Sequence, residues 1–189
     1  RQDMQFALQM SENAVALDPP FAVAHAAISN VCAQYYYYFE RKQEWIDRVN
    51  AATQKAIATG RDEPEIRCAE AWLDFAEGKY ASAVDKVRSA LARDPDIDGG
   101  YHLLGRALFE SGRYQEVVDI MEDALAHAGE NYNTTIPIHN ALGAMGKTED
   151  LRNYTYREIA ILEAQLKKTP EDARVRVLLA GNYASQGRF

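Results

Sequence analysis

The chain has 189 residues, enough to bury a core as one domain or as a stacked array, and its 47% hydrophobic and 26% charged composition is ordinary for a globular protein. A formal net charge of -7 argues against a nucleic-acid module, which carries a basic face, so nucleic acid is not an expected partner. Cys32 and Cys68 sit in unrelated contexts and read as buried, reduced thiols, no apolar run approaches the ~20 residues of a membrane span, and there is no signal-peptide pattern.

In chain order, the sequence starts at Arg1, without Met, already inside helical sequence, so the chain is expected to be excised from a longer protein. Ala14-Val15-Ala16-Leu17-Asp18-Pro19 reads as the close of a first unit. A helix is expected next from Phe21-Ala22-Val23-Ala24-His25-Ala26-Ala27, running into Tyr35-Tyr36-Tyr37-Tyr38-Phe39-Glu40 and followed by a helix carrying Trp45-Ile46. Four successive tyrosines cannot share one helix face. Two readings stand for them: packing under Trp45, or contact with a partner, for which a large ring with a polar tip is suited.

In residues 64–77, Ile66, Ala69, Leu73 and Ala76 make a clean apolar stripe, while Glu70 and Asp74 hold places where burial is expected. A register change of one residue moves Trp72 between an inner groove and the core, and both readings stay open. Asp94-Pro95 closes that unit, because Pro cannot extend a helix but suits the start of the next. In 98–111, Tyr101, Leu104, Gly105 and Leu108 form one stripe, and Gly112 ends the helix where a positive φ is wanted. A second helix over about 114–128 carries Tyr114, Val117, Met121, Ala124 and Leu125. Small residues such as Gly105 and Ala124 let helices approach closely. Thr134-Thr135 before Ile136-Pro137 reads as a helix start, a hydroxyl capping free amides and Pro in the first turn. A longer helix over roughly 148–168 and a last one with Leu179, Ala180 and Tyr183 before Gly187 complete the chain.

A repeat underlies this order. Gly78-Lys79-Tyr80 and Gly112-Arg113-Tyr114 lie 34 residues apart, and the same offset carries Ala56 to Ala90 to Ala124, Ile57 to Leu91 to Leu125, Phe75 to Phe109 and Gly112 to Gly146. A 34-residue helix–turn–helix with a small residue in the first helix, Gly-x-Tyr at the turn, and Ala then Pro at the end resembles the tetratricopeptide repeat. The resemblance is strongest over 64–131 and implies an all-α fold, an α-solenoid of about ten helices stacked as antiparallel pairs in a right-handed superhelix. The expected units are 1–21, the second helix of a truncated repeat; 22–63, an extended repeat of 42 residues; 64–97; 98–131; 132–172, an extended repeat of 41; and 173–189, truncated again. The aromatic extension with Trp45-Ile46, Glu130-Asn131-Tyr132 leading to Pro137, and Leu166-Lys167-Lys168-Thr169-Pro170-Glu171-Asp172-Ala173 are similar to repeat regions attached to bacterial Ser/Thr protein kinases, adenylate cyclases and winged-helix regulators.

This resemblance implies that the first helix of each pair lines a concave groove suited to an extended peptide or a partner helix. Its groove candidates are Asn30, Gln34, Trp72, Phe75, His102, Arg106, Phe109 and Asn140, beside the aromatic cluster of Tyr35, Tyr36, Tyr37, Tyr38 and Trp45. Arg106 is placed to meet a carboxylate or stack on an aromatic, with a solvated or repeat-to-repeat ion pair as the plain alternative. The recurrence of Phe75 and Phe109 equally fits shared packing. Some relatives clamp a carboxylate with Lys and Asn; here Asn30 matches such a place but Ala26 stands where the Lys is needed, so that clamp is not expected.

His25, His102, His127 and His139 lie in separate helices without partners at ligand spacing, and the glycines punctuate helix ends instead of cradling phosphates. No metal, cofactor or catalytic residue is expected, and the chain does not read as an enzyme. The expected role is a protein–protein interaction scaffold, the sensor or regulatory part of a larger bacterial signalling protein, binding a protein or peptide; self-association as a homo-oligomer is the alternative. Localisation is expected in the cytoplasm, or outside it if the parent is a membrane-spanning kinase.

Overall fold

The computed structural model describes residues 2–60, 63–127 and 131–187. Eleven α-helices and one 3-10 turn occupy them, and no strand occurs among the described residues. The order is α1 (Gln2–Leu17), α2 (Ala22–Tyr38), α3 (Gln43–Thr59), α4 (Pro64–Ala76), α5 (Tyr80–Leu91), α6 (Gly100–Glu110), α7 (Tyr114–Asp119), α8 (Met121–His127), the 3-10 turn (Tyr132–Thr134), α9 (Thr135–Ala144), α10 (Thr148–Lys168) and α11 (Ala173–Ser185). The helix expected over 114–128 is bent into α7 and α8 at Ile120. The hydrogen-bond ladder continues across the break, since Ile120 N–H donates to the Glu116 carbonyl (3.2 Å) and Ala124 N–H to that of Ile120 (2.8 Å). Ala128 at its expected end and Glu130 of the following turn signal lie outside the described residues.

The helices stack in sequence order. α2 packs on α3 and α4, α4 on α5, α5 on α6, α6 on α7 and α9, α9 on α10, and α10 on α11. Each pair buries its stripes against the next, the arrangement of an all-α solenoid. The turns repeat in atomic detail. Gly78, Gly112 and Gly146 hold φ of 78°, 72° and 67°, the left-handed conformation that ends a helix without a Cβ penalty. The amide that follows each glycine, on Lys79, Arg113 and Lys147, donates to the carbonyl of Asp74, Leu108 and Leu142 at 2.8, 2.9 and 3.1 Å. Across two of these turns the rings pair alike, Phe75 with Tyr80 at 5.4 Å and Phe109 with Tyr114 at 5.1 Å.

Close helix approach is set by missing side chains. A Cβ on Gly60 would lie 2.1 Å from Ile66 Cδ1 and 2.7 Å from Ala22 Cβ, inside the small-residue seam of Ala22, Ala26, Ala56, Ile66 and Ala69. A Cβ on Gly105 would meet the Pro137 ring at 3.1 Å, so α6 and α9 nest at that point. The outer helices are laced by ion pairs between successive units: Arg48 to Glu12 at 2.5 Å, Arg88 to Glu116 at 2.7 Å and Arg157 to Glu122 at 2.7 Å. All are partly exposed, so each adds at most about 1 kcal/mol.

One local expectation is corrected, and one conflict in the sequence is resolved. At the start of α9 neither threonine caps the helix: Asn131 accepts from the Asn133 amide (3.2 Å), and Thr135 Oγ1 donates instead to the buried Glu158 carboxylate (2.8 Å). That O–H donation goes to a buried anion, whose desolvation would otherwise be costly. In α4 Asp74 is indeed buried, yet it is matched by Lys86 Nζ at 2.6 Å and Ser82 Oγ at 2.5 Å. That pairing lets an acid occupy a core register.

Candidate functional site

The four tyrosines of α2 divide between two sides of the helix. Tyr35 turns outward in the array, 2% exposed, against Trp45 (centroids 4.5 Å) and Phe39 (5.1 Å), and accepts from Gln5 Nε2 at 3.4 Å. Tyr36 is half-buried. Tyr37 and Tyr38 point the other way, edge to face at 5.0 Å, and reach across the inner face of the first helices. The packing reading of the cluster holds for Tyr35, which lies against Trp45, whereas Tyr37 and Tyr38 leave Trp45 and pack on Phe75 and His102.

Tyr37 packs on Phe75 of α4 at 5.2 Å and donates to Glu110 Oε1 of α6 at 3.0 Å. Arg106 lies over its ring, Cζ 4.8 Å from the centroid, and also pairs with Glu110 at 3.3 Å. Arg41, from the loop after α2, approaches the same ring at 5.4 Å. Tyr38 hydrogen-bonds to His102 Nε2, and Arg174 of α11 lies 5.0 Å from its ring centroid. His102 Nδ1 meets the Asn133 carbonyl at 3.0 Å. A carbonyl only accepts, so Nδ1 carries the proton and Nε2 of the neutral ring accepts from the Tyr38 hydroxyl. One chain of hydrogen bonds therefore runs from α2 through α6 to the segment before α9.

Burial sets the electrostatics here. His102 is held down to about 4 by desolvation, with the Arg174 charge adding to the effect against the backbone hydrogen bond, so the ring is neutral at pH 7. Desolvation also pushes Tyr38 up to about 12, although Arg174 opposes it. Arg106 is lowered by burial first, with Glu110 opposing and Arg174 adding to the shift. Its Nε is buried without a hydrogen-bond partner.

The expected groove residues fare differently. Trp72, Phe75 and His102 are each 3% exposed, so they are core beneath Tyr37 and Tyr38 and not an open groove lining. Trp72 meets Phe75 edge-on at 5.6 Å and His102 at 6.3 Å. The cause lies outside the repeat pattern: the extension of α2 supplies two rings that cover what a groove would leave open. Phe109 is half-buried against Tyr114. Asn30 and Gln34 are half-buried on the stripe of α2 that continues to Tyr38, and Asn140 is half-buried on α9. The Asn30 side-chain oxygen is buried without a hydrogen-bond partner.

Sequence reasoning missed Arg41, Arg174, Glu110 and Asn133, because no local spacing links Arg174 to Tyr38. It also missed a second buried cluster. Glu158 of α10, 2% exposed, accepts from Thr135 Oγ1 (2.8 Å), His139 Nδ1 (2.7 Å) and Asn182 Nδ2 (3.0 Å), tying α9, α10 and α11. Among the described residues no group of three or more His, Cys, Asp or Glu side chains is placed to hold a metal, and no helix is long and apolar enough to cross a membrane.

Residues 74–134 match the family model for the tetratricopeptide repeat. Over that stretch the chain carries tetratricopeptide repeats. It is 48% identical over 42 residues to the small glutamine-rich tetratricopeptide repeat-containing protein 2 of Mycosarcoma maydis. That match covers 22% of this chain and 12% of the relative, so the chain spans only a small part of the relative's length. In fold it is similar to MamA, with a TM-score of 0.58, 14% identity, and 88% and 92% of the two chains covered. Human IFIT1, solved as a dimer with PPP-AAAA, superposes over 98% of this chain and 42% of its own, with a TM-score of 0.69 at 16% identity. YrrB, described as a TPR protein with an unusual peptide-binding site, superposes over 92% and 82% with a TM-score of 0.50 at 13% identity.

Proposed function

We propose that this chain is an interaction scaffold whose inner face, gathered around Tyr37 and Tyr38, receives a peptide or protein segment within a larger bacterial signalling protein in the cytoplasm. The observation that carries the reading is the convergence of α2, α4, α6 and α11 side chains on two tyrosines, which joins units far apart in sequence at one spot. Binding surfaces draw most of their energy from a few aromatic and arginine anchors, and those residue types meet there. The peptide-binding site of YrrB, a neighbour in fold, supports a peptide as the ligand class. The resemblance to kinase- and cyclase-linked repeats supports the signalling setting.

The test is panning of a displayed random-peptide library against the chain, followed by hydrogen exchange on the selected complexes. Protection concentrated in the C-terminal half of α2, in α6 and at the start of α11 supports the reading. Peptides that protect other surfaces, or an empty selection, overturn it.

Self-association is the second reading. Phe6 (67% exposed), Met10 (51%) and Leu17 (88%) on α1, and Val177 (71%) on α11, leave apolar side chains in water at both ends of the array. A molecular mass that rises with concentration in light scattering, abolished by Phe6→Ser and Leu17→Ser, would favour it.

A further inference from the structure

We propose that the inner face takes an acidic peptide segment, held by the guanidinium edges of Arg41, Arg106 and Arg174; this rests on the scaffold reading above and names its partner. These three cations come from the loop after α2, from α6 and from α11, yet each guanidinium carbon lies 4.8–5.4 Å from one of two touching rings, Tyr37 and Tyr38. A guanidinium over a ring is engaged through its face, and the N–H donors at its edge that Glu110 and Tyr38 do not take from Arg106 and Arg174 remain for a carboxylate. Arg41 and Arg174 are exposed, and among the described residues neither is paired with a carboxylate.

The nearby acids are already committed. Glu110 serves Arg106 and Tyr37, Glu40 pairs with Lys42 at 2.9 Å, and Asp172 caps α11 by accepting from the Arg174 and Val175 amides at 3.0 and 3.1 Å while taking the Tyr132 hydroxyl. Positive charge is therefore locally in excess within a chain of net charge -7. The excess is felt inside the site, since Arg174 disfavours the charged forms of both Arg106 and His102. An incoming carboxylate relieves that repulsion and makes charge-assisted hydrogen bonds. A nucleic acid fits less well. Its affinity comes from neutralising a run of phosphates along the strand, and three cations within an acidic body offer no such track.

The experiment uses the full chain and a short fluorescein-labelled peptide of alternating Glu and Ser, with Gln-for-Glu and oligouridylate probes beside it, read by anisotropy. The Glu peptide is expected to bind, to weaken as salt rises, and to lose about threefold in affinity with Arg41→Gln or Arg174→Gln and about tenfold with both. Both positions are exposed, so circular dichroism should report an unchanged fold. Equal binding of the Gln peptide, undiminished binding by the double variant, or binding of oligouridylate alone each overturns the acidic preference. Should the Glu peptide fail while panned peptides still protect the inner face, this inference falls and the scaffold reading stands; if neither binds, both fall.

Discussion

Acidification tests the His102 network directly. The ring is 3% exposed, and its pKa falls from 6.5 to about 4 because burial disfavours the imidazolium. The unfolded chain, with the ordinary value, therefore takes up the proton first. The stabilisation is complete above about pH 6.5 and is lost as pH falls toward 4, where the native ring also titrates. Integrating the difference in bound protons gives a loss of about 2 kcal/mol between about pH 7 and about pH 4.5. Urea unfolding followed by tryptophan fluorescence measures it, since Trp72 lies against His102. Carboxylates titrate over the same range, so the comparison is with His102→Gln, whose amide supplies one donor for the Asn133 carbonyl and one acceptor for Tyr38 but does not ionise. The wild-type chain should lose about 2 kcal/mol more than this variant over that range. Parallel pH profiles would refute the neutral, buried histidine and the tautomer assigned to it.

Three further outcomes follow from the same geometry. Tyr38→Phe leaves His102 Nε2 as a buried acceptor without its donor and should cost about 1–3 kcal/mol in urea unfolding, whereas Tyr36→Phe, at a half-buried ring, should stay within about 0.5 kcal/mol. Glu158→Ala strips three donors of their buried acceptor and should cost about 3 kcal/mol, with hydrogen-exchange protection lost first in α11, which docks through Asn182. Gly112→Ala has open space around it but a φ of 72°, so a thermal scan should show a loss of about 1 kcal/mol, whereas Gly181→Ala, inside α11 with nothing within 4 Å of its Cβ, should gain up to about 1 kcal/mol. Equal effects at the two glycines would count against strain as the cause.

The repeat and its turns were legible in the sequence because their causes are local. A left-handed glycine, the ring five residues beyond Phe75 or Phe109, and the apolar stripes all act within one helix or across one turn, so a fixed offset of 34 residues exposes them. The role of Gly105 was readable for the same reason: a small residue on an apolar stripe marks close approach. Residue type also marked Arg106, Phe109, His102 and the tyrosines, but not their relations. Trp72 shows the limit, since its burial depends on what lies above it, and that cover comes from another repeat.

What the sequence determined alone is the period, the helix–turn–helix unit and the solenoid class, all consequences of propensity and spacing within about one turn or one pair of helices. What only the tertiary structure decided is the direction of Tyr37 and Tyr38, the burial of His102 beneath them, and the arrival of Arg174 from α11 at Tyr38 of α2. Those follow from the small rotation between each unit and the next, accumulated along the array. That rotation is set by side-chain packing at every interface, so no local spacing in the sequence records where distant units meet.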